Sequence, residues 1–215
     1  MDKDAVRARI VEFGIIPAVR ASSAEDARFA TESVARGGIP IVEITMTVPG
    51  ALEVIADLTR HMPDVIVGAG TVLDLETARR CLDAGVGFLT SPGLDLRIVE
   101  FTRKHDAVSM PGALTPTEVI TAWQAGADFV KVFPCSQVGG DSYIRALKAP
   151  LPDVRLVAAG GVNQRTAANF IRAGASALGV GGELIPRAAV QQRQPDWIPE
   201  LARRFLTIVR EARGR

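Results

Sequence analysis

Cysteine and histidine are scarce in this 215-residue chain, with two of each: Cys81, Cys135, His61 and His105. The cysteines lie far apart and form no Cys-x-x-Cys unit, which excludes a disulfide scaffold and a cysteine zinc site. The histidines are not at metal-ligand spacing either, so no metal and no cofactor are expected. An excess of charge is also missing: 25 Lys and Arg stand against 24 Asp and Glu, a formal net charge of +1. That balance argues against a protein whose main task is gripping nucleic acid or anionic lipid. No run approaches the ~18 uninterrupted apolar residues of a membrane span. The opening MDKDAVRARI is too charged for a secretory signal. The expectation is a cytoplasmic protein whose partners are neither nucleic acid nor membrane. What is present is ordinary globular composition, 47% hydrophobic and 23% charged, in a length that suits one domain, residues 1–215, with a substantial core.

Short segments rich in Val, Ile and Ala alternate with longer amphipathic ones. The pattern predicts strands at 15–19, 41–45, 65–70, 88–92, 107–111, 129–134, 154–160 and 177–182. Helices are predicted between them, for example at 24–36, 50–60, 75–84, 117–125 and 166–173. Most of these strands are apolar on both faces, as parallel strands covered by helices are. Eight of them with such crossovers read as an α/β protein of the (β/α)8 TIM-barrel class, with an open doubly wound sheet as the alternative. The tetrads Arg36-Gly37-Gly38-Ile39, Asp83-Ala84-Gly85-Val86, Gln124-Ala125-Gly126-Ala127 and Arg172-Ala173-Gly174-Ala175 support the barrel. Each ends a predicted helix just before a strand, once per two βα units, where glycine can take the left-handed conformation. Residues 3–13 read as an N-terminal helix covering the barrel floor and 191–195 as a polar linker. Residues 196–213 read as a C-terminal amphipathic helix with Trp197, Leu201, Phe205, Ile208 and Val209 towards one side.

In this fold the working groups sit where strands end and loops begin. Among the apolar strand cores only Glu43 and Lys131 are ionisable; Arg20 and Arg155 fall at strand edges. Strand alternation puts Lys131 on one face with Phe129 and Phe133, and Glu43 with Ile41 and Thr45. Desolvation disfavours the charged form of an amine, and the neutral amine is what attacks a ketone. A nearby carboxylate can shuttle protons, directly or through water. The alternative is a purely structural ion pair across the barrel, although buried pairs are weak evidence for stability. The glycine pairs Gly160-Gly161 and Gly181-Gly182 close the last two strands, where barrels often bind phosphate; the alternative is two tight turns. Asn163 is placed as an N-cap after the first pair. Arg20 could hold a carboxylate or phosphate by a forked contact, or stand solvated. Thr71 could donate to a substrate carboxylate, or only cap the helix from Asp74. His61 and His105 fall in polar connections, and Cys135 is expected to be core filler.

Seven motifs then occur in one order: Ile41-Val42-Glu43-Ile44-Thr45-Met46-Thr47, Gly68-Ala69-Gly70-Thr71-Val72, Ser91-Pro92-Gly93, Met110-Pro111-Gly112, Thr115-Pro116-Thr117-Glu118, Phe129-Val130-Lys131-Val132-Phe133-Pro134 and Gly160-Gly161-Val162-Asn163. Together, over residues 5–210, they resemble the 2-keto-3-deoxy-6-phosphogluconate (KDPG) and 2-keto-4-hydroxyglutarate (KHG) aldolase family. The resemblance implies a metal-independent class I aldolase, commonly a homotrimer, that cleaves KDPG reversibly to pyruvate and glyceraldehyde 3-phosphate. It implies that Lys131 forms the Schiff base and that Glu43 is the general acid and base. It places Thr71 and Pro92 along the pyruvyl pocket, the four glycines at the phosphate, and Phe133, Arg20 and Thr47 among the substrate-binding residues. Three positions depart from the common pattern: Thr47 stands where some members carry arginine, Ala159 where a threonine is frequent, and Glu183 where many have serine. Arg20 can supply the charge missing at Thr47, while Glu183 leaves open a substrate without phosphate. The alternatives are therefore 4-hydroxy-2-oxoglutarate or the galactonate epimer of KDPG. From other classes come a phosphate-binding barrel isomerase or synthase, and a trimeric barrel protein without turnover.

Overall fold

The apolar segments form nine short strands, every paired neighbour parallel: β1 (Ile15–Val19), β2 (Ile41–Thr45), β3 (Ile66–Gly70), β4 (Phe88–Thr90), β5 (Val108–Met110), β6 (Gly112–Ala113), β7 (Val130–Val132), β8 (Leu156–Ala159) and β9 (Ala177–Val180). The helices are α1 (Lys3–Phe13), α2 (Ala24–Arg36), α3 (Ala51–His61), α4 (Leu75–Asp83), α5 (Leu96–Lys104), α6 (Pro116–Gln124), α7 (Asp141–Lys148), α8 (Ala167–Arg172), α9 (Arg187–Gln191) and α10 (Trp197–Ala212). The structure, a computed structural model, describes residues 1–214.

The strands run in one sheet in the order β5-β4-β3-β2-β1-β9-β8-β7-β6. Its two ends are a single stretch of chain, because β5 and β6 flank Pro111. Proline has no N–H for the ladder, and the chain changes partner there. Residues 108–110 pair with β4, and residues 112–113 pair with β7. The Ser109 and Pro111 carbonyls accept from the Phe129 and Lys131 N–H groups at 3.2 and 2.8 Å, which joins the ends of the sheet. With 108–113 counted as one strand, this is the expected (β/α)8 TIM barrel, helices at both termini included. Several strands are shorter than the sequence pattern suggests, ending at Thr90, Val132, Ala159 and Val180. The residues left out are those next to proline and glycine at the barrel mouth, which leave the ladder to build loops.

The repeated tetrads are Schellman turns. Gly38, Gly85, Gly126 and Gly174 have φ of 93, 94, 91 and 104°. The following residue donates back to the carbonyl five positions earlier, as Ile39 does to Val34 (3.3 Å) and Ala127 to Ala122 (3.2 Å). Helix α5 ends the same way without glycine: Asp106 takes φ 54° and the Ala107 N–H reaches the Thr102 carbonyl at 3.2 Å. The turn is thus not confined to alternate units. Asparagine and aspartate are the residues that tolerate this conformation best after glycine.

Helix α1 covers the floor, burying Val6 and Ile10. It is fastened by Asp128, 5% exposed and two residues ahead of β7. The Asp128 carboxylate takes Lys3 Nζ at 3.0 Å, Arg7 at 3.6 Å and the Ser109 N–H at 3.0 Å. Helix α10 lies outside the barrel against α2 and α8. Its buried stripe is Ile198, Leu201, Ala202, Phe205, Leu206 and Val209. Trp197 is 43% exposed, off the stripe on which the sequence pattern placed it, because it is the first helical residue.

Removing the Asp128 carboxylate leaves a little-exposed ammonium and a buried N–H without their acceptor. Breaking a buried pair costs about 3–5 kcal/mol. Asp128→Ala is expected to lower urea-unfolding stability by about 3 kcal/mol; a change of only a few tenths would show that the floor is not anchored there.

Candidate active site

Glu43 is the middle residue of β2 and Lys131 the middle residue of β7. Four strand steps separate them by either route around the barrel, so they stand on opposite walls. In strand register Glu43 lies beside Ala18 and Gly68, and Lys131 beside Gly112 and Val157. Both side chains cross to the axis. Lys131 Nζ is 3.8 Å from Glu43 Oε2, with the side chains 10% and 4% exposed. That distance is an ion pair rather than a direct hydrogen bond, and a ligand atom bound to Nζ can enter between the groups. Lys131 Nζ also sits 5.6 Å from the centroid of the Phe133 ring.

Small residues make this meeting possible. A Cβ on Gly70 would overlap the Glu43 carboxylate, and one on Gly68 would overlap the Phe88 ring. Phe88 is fully buried and fills the layer near Gly68. The barrel is packed on that side and open on the other, where a cavity of about 320 Å³ begins. Its wall contains Lys131, Glu43, Phe133 and Arg20, together with both glycine pairs.

The two glycine pairs do different work. Gly160 and Gly161 have φ of 83 and 85°, and a side chain on Gly161 would run into Ser136, so the backbone itself requires them. At Gly182 nothing lies within 4 Å of where a Cβ would be, and at Gly181 the nearest atom is a guanidinium nitrogen of Arg20 at 3.8 Å. This second pair keeps the cavity wall bare. Asn163 lines the cavity too, and its Oδ1 accepts from the Arg165 and Thr166 N–H groups at 2.9 and 3.1 Å. It therefore caps the turn ahead of α8, whose own N-cap position is Thr166.

Thr47, Thr71 and Pro92 do not line this cavity. Thr71 follows β3 directly, with φ 60°, and so is placed next to the glycine that touches Glu43. Pro92 follows β4 by two residues, and its backbone packs so closely on Gly112 that a Cβ there would overlap it. Thr47 belongs to a neighbouring cavity of about 470 Å³ that shares Ala18, Arg20 and Gly182 with the first. Its hydroxyl is 2.7 Å from that of Thr45, which donates to the Val19 carbonyl at 3.1 Å. Each hydroxyl has one proton, so Thr47 must be the donor to Thr45 and has none left for an anion.

Ala159 and Glu183, the two departures from the family pattern near the glycines, both line the cavity that holds Lys131 and Glu43, Glu183 as an exposed rim residue. Sequence reasoning does not find Ala18 and Gly179, which line it by being small, nor Arg187 and Gln191, which line the second cavity from α9. Nothing in the pattern of a five-residue helix marks which of its residues face a cavity. His61 and His105 are exposed and, among the described residues, their rings bond only to carbonyls and side chains of their own helices. Cys135 is buried, and burial pushes its thiol up to about 11, which suits a filler. No helix among the described residues is long and apolar enough to cross a membrane.

The family model for KDPG and KHG aldolase matches residues 6–201. The 2-dehydro-3-deoxy-phosphogluconate aldolase of Treponema pallidum is 33% identical over 91% of this chain and 93% of its own length. A cube-shaped protein cage designed by fusing symmetric oligomeric domains superposes with a TM-score of 0.85 and 29% identity, over 94% of this chain and 74% of the cage chain. The KDPG aldolase of Legionella pneumophila, with pyruvate captured at low pH as a covalent carbinolamine intermediate, superposes with a TM-score of 0.84 and 26% identity over 92% of this chain and 96% of that one. A barrel with a lysine and a glutamate meeting on its axis, matched along nearly its whole length, belongs to the KDPG and KHG aldolase family.

Proposed function

We propose that this chain is a class I aldolase that cleaves KDPG reversibly to pyruvate and glyceraldehyde 3-phosphate, through a Schiff base on Lys131. The observation that carries it is the 3.8 Å approach of Lys131 Nζ to Glu43 Oε2 inside a cavity open to small molecules. The captured carbinolamine in the Legionella relative supports the same chemistry.

One proton passed between the two groups, relayed by a water across their 3.8 Å separation, starts the reaction. When Glu43 takes it, Lys131 becomes a neutral nucleophile and the carboxylic acid can return the proton to the oxygen that must leave. The amine adds to the C2 ketone to give a carbinolamine, and loss of water with the Glu43 proton gives the protonated imine. The Glu43 carboxylate then removes the C4 hydroxyl proton. The C3–C4 bonding electrons flow into the imine, an enamine forms and the aldehyde leaves. Protonation of the enamine carbon by Glu43 and hydrolysis of the imine release pyruvate and restore the amine. Thr71 and Pro92 are assigned to the pyruvyl end, in keeping with their places at the ends of β3 and β4 on the same mouth. Phe133 covers the amine, Arg20 supplies the cation absent at Thr47, and the glycine pairs take the phosphate.

A second reading, 4-hydroxy-2-oxoglutarate or the galactonate epimer of KDPG, is favoured by one feature: Glu183 sets a carboxylate beside Gly182, where it opposes a phosphate. A cytoplasmic homotrimer completes the proposal. It is supported by the match to symmetric oligomeric domains and by exposed Leu73, Leu75 and Leu96 around the starts of the adjacent helices α4 and α5.

Borohydride reduction with pyruvate, read by intact mass and peptide mapping, is expected to leave a stable adduct on Lys131. Lys131→Met is expected to lose both adduct and turnover while keeping its circular dichroism spectrum; retained turnover would remove the Schiff-base assignment. Glu43→Gln should slow turnover by roughly two to four orders of magnitude, and a variant of normal rate would move the proton relay elsewhere. Gly70→Ala drives a methyl into the Glu43 carboxylate. Its steady-state kinetics should show kcat lowered at least about tenfold, whereas unchanged kcat would show that the carboxylate need not sit where it does.

A further inference from the structure

The cavity beyond Arg20 is larger than the catalytic one, about 470 against 320 Å³, and the aldol cleavage described above uses only its shared edge at Arg20 and Gly182. It lies between β1, α2 and α9, and shares Ala18, Arg20 and Gly182 with the catalytic cavity. Its charge is one-sided. Asp26, the only carboxylate in its wall, is held by Arg193 at 3.0 Å and by the Ser22 hydroxyl at 2.8 Å. The guanidinium groups of Arg20 and Arg187 have no hydrogen bond or ion pair to any other described residue. Two exposed guanidiniums thus face one concave space with no protein anion to neutralise them, and Arg20 stands at its junction with the catalytic site.

We infer that this cavity is an acceptor subsite for the terminal acidic group of aldehydes longer than glyceraldehyde 3-phosphate, with Arg187 and Arg20 as its anion-binding pair. Guanidinium groups bind carboxylate and phosphate oxygens through charge-assisted, often forked hydrogen bonds. The turn at Gly181-Gly182 is a poorer seat for such a group because Glu183 adjoins it, whereas the second cavity has only a neutralised carboxylate. The inference rests on the aldolase reading and gives it a substrate class. In the synthetic direction the pyruvyl enamine on Lys131 attacks the aldehyde carbon. A C–C bond forms, the aldehyde oxygen takes a proton from Glu43, and water hydrolyses the resulting imine. Pyruvate and aldehyde combine with nothing lost, and the product is a 4-hydroxy-2-keto acid with a second acid at its far end.

The test compares pyruvate addition to 6-oxohexanoate, whose acidic end lies farther from the aldehyde carbon than that of glyceraldehyde 3-phosphate, with addition to hexanal, which has the same chain length and no terminal charge, in the wild type and in Arg187→Gln. Arg187 is exposed and unpaired, so the variant is expected to fold. The wild type should prefer the carboxylated aldehyde in kcat/KM by about tenfold or more, and Arg187→Gln should lose most of that preference through KM, with the rate on hexanal changed less than about twofold. Equal preference in the two proteins, or none in the wild type, overturns the subsite. Borohydride trapping of pyruvate in both proteins separates the two levels of the argument: adducts with an unaltered preference remove the subsite alone, while no adduct removes the aldolase reading and the subsite with it.

Discussion

Two opposite charges meeting on the axis of a barrel is the constraint around which the rest of this molecule is arranged. Each ion loses several kcal/mol of hydration on entering such an interior, and well-packed apolar groups of the same volume would be at least as stable. The pair of Lys131 and Glu43 is therefore poorly explained as a device for stability. Its placement goes with bare positions on β3 and β6, one neighbour of each strand. Gly70 has to be bare for the carboxylate to fit, Gly68 for Phe88 to fill the nearby layer, and Gly112 for the Pro92 backbone to pass. Bare glycines weaken strand packing, and here they cluster on the strands that flank the pair.

The opposite end of the barrel shows what a charge cluster looks like when its task is mechanical. Asp128 accepts from the Ser109 N–H and meets cations from the first two turns of α1, so it ties a terminal helix to the start of β7 and to β5. Arg7 there is one-third exposed, which spares part of the desolvation cost. The two clusters divide the barrel into an end that holds the fold and an end that holds the chemistry, as the connectivity of parallel βα units favours.

Much of this was legible in the residues, and the failures have physical causes. Periodicity located the strands and most of the helices, because parallel strands buried on both faces give unbroken apolar runs. Four helix ends were readable because glycine is the cheapest left-handed residue. The fifth was not, since Asp106 adopts the same conformation without the signature. The change of strand partner at Pro111 follows from a missing N–H, but which neighbour each half takes depends on closure of the whole sheet. Lys131 and Glu43 stood out because ionisable groups are rare in strand interiors. Arg187 did not, since a lone arginine at the start of a short helix looks like any solvated side chain, and only the fold brings it to Arg20's side. The proton count at Thr47 is likewise invisible in sequence: it depends on Thr45 having already spent its own hydrogen on the Val19 carbonyl.

Net charge conceals the electrostatics of the mouth. The chain as a whole carries +1, which suggests no attraction for an anionic keto acid. Locally the signs do not cancel. Glu43 is occupied by Lys131 and Asp26 by Arg193, so the carboxylates nearest the cavities contribute little outward field. Arg20 and Arg187 remain uncompensated on the β1 and α9 side, while Glu183 stands on the rim at the end of β9. A concave surface with low-dielectric walls focuses such a field. On the subsite reading, a terminal acid that reaches past the glycine turns is accordingly drawn towards the arginines, so charge placement as well as shape sets the direction in which a long substrate extends from Lys131. The same asymmetry gives Glu183 a physical role without contact: by making the β9 side repulsive, it biases the orientation in which an acidic chain enters.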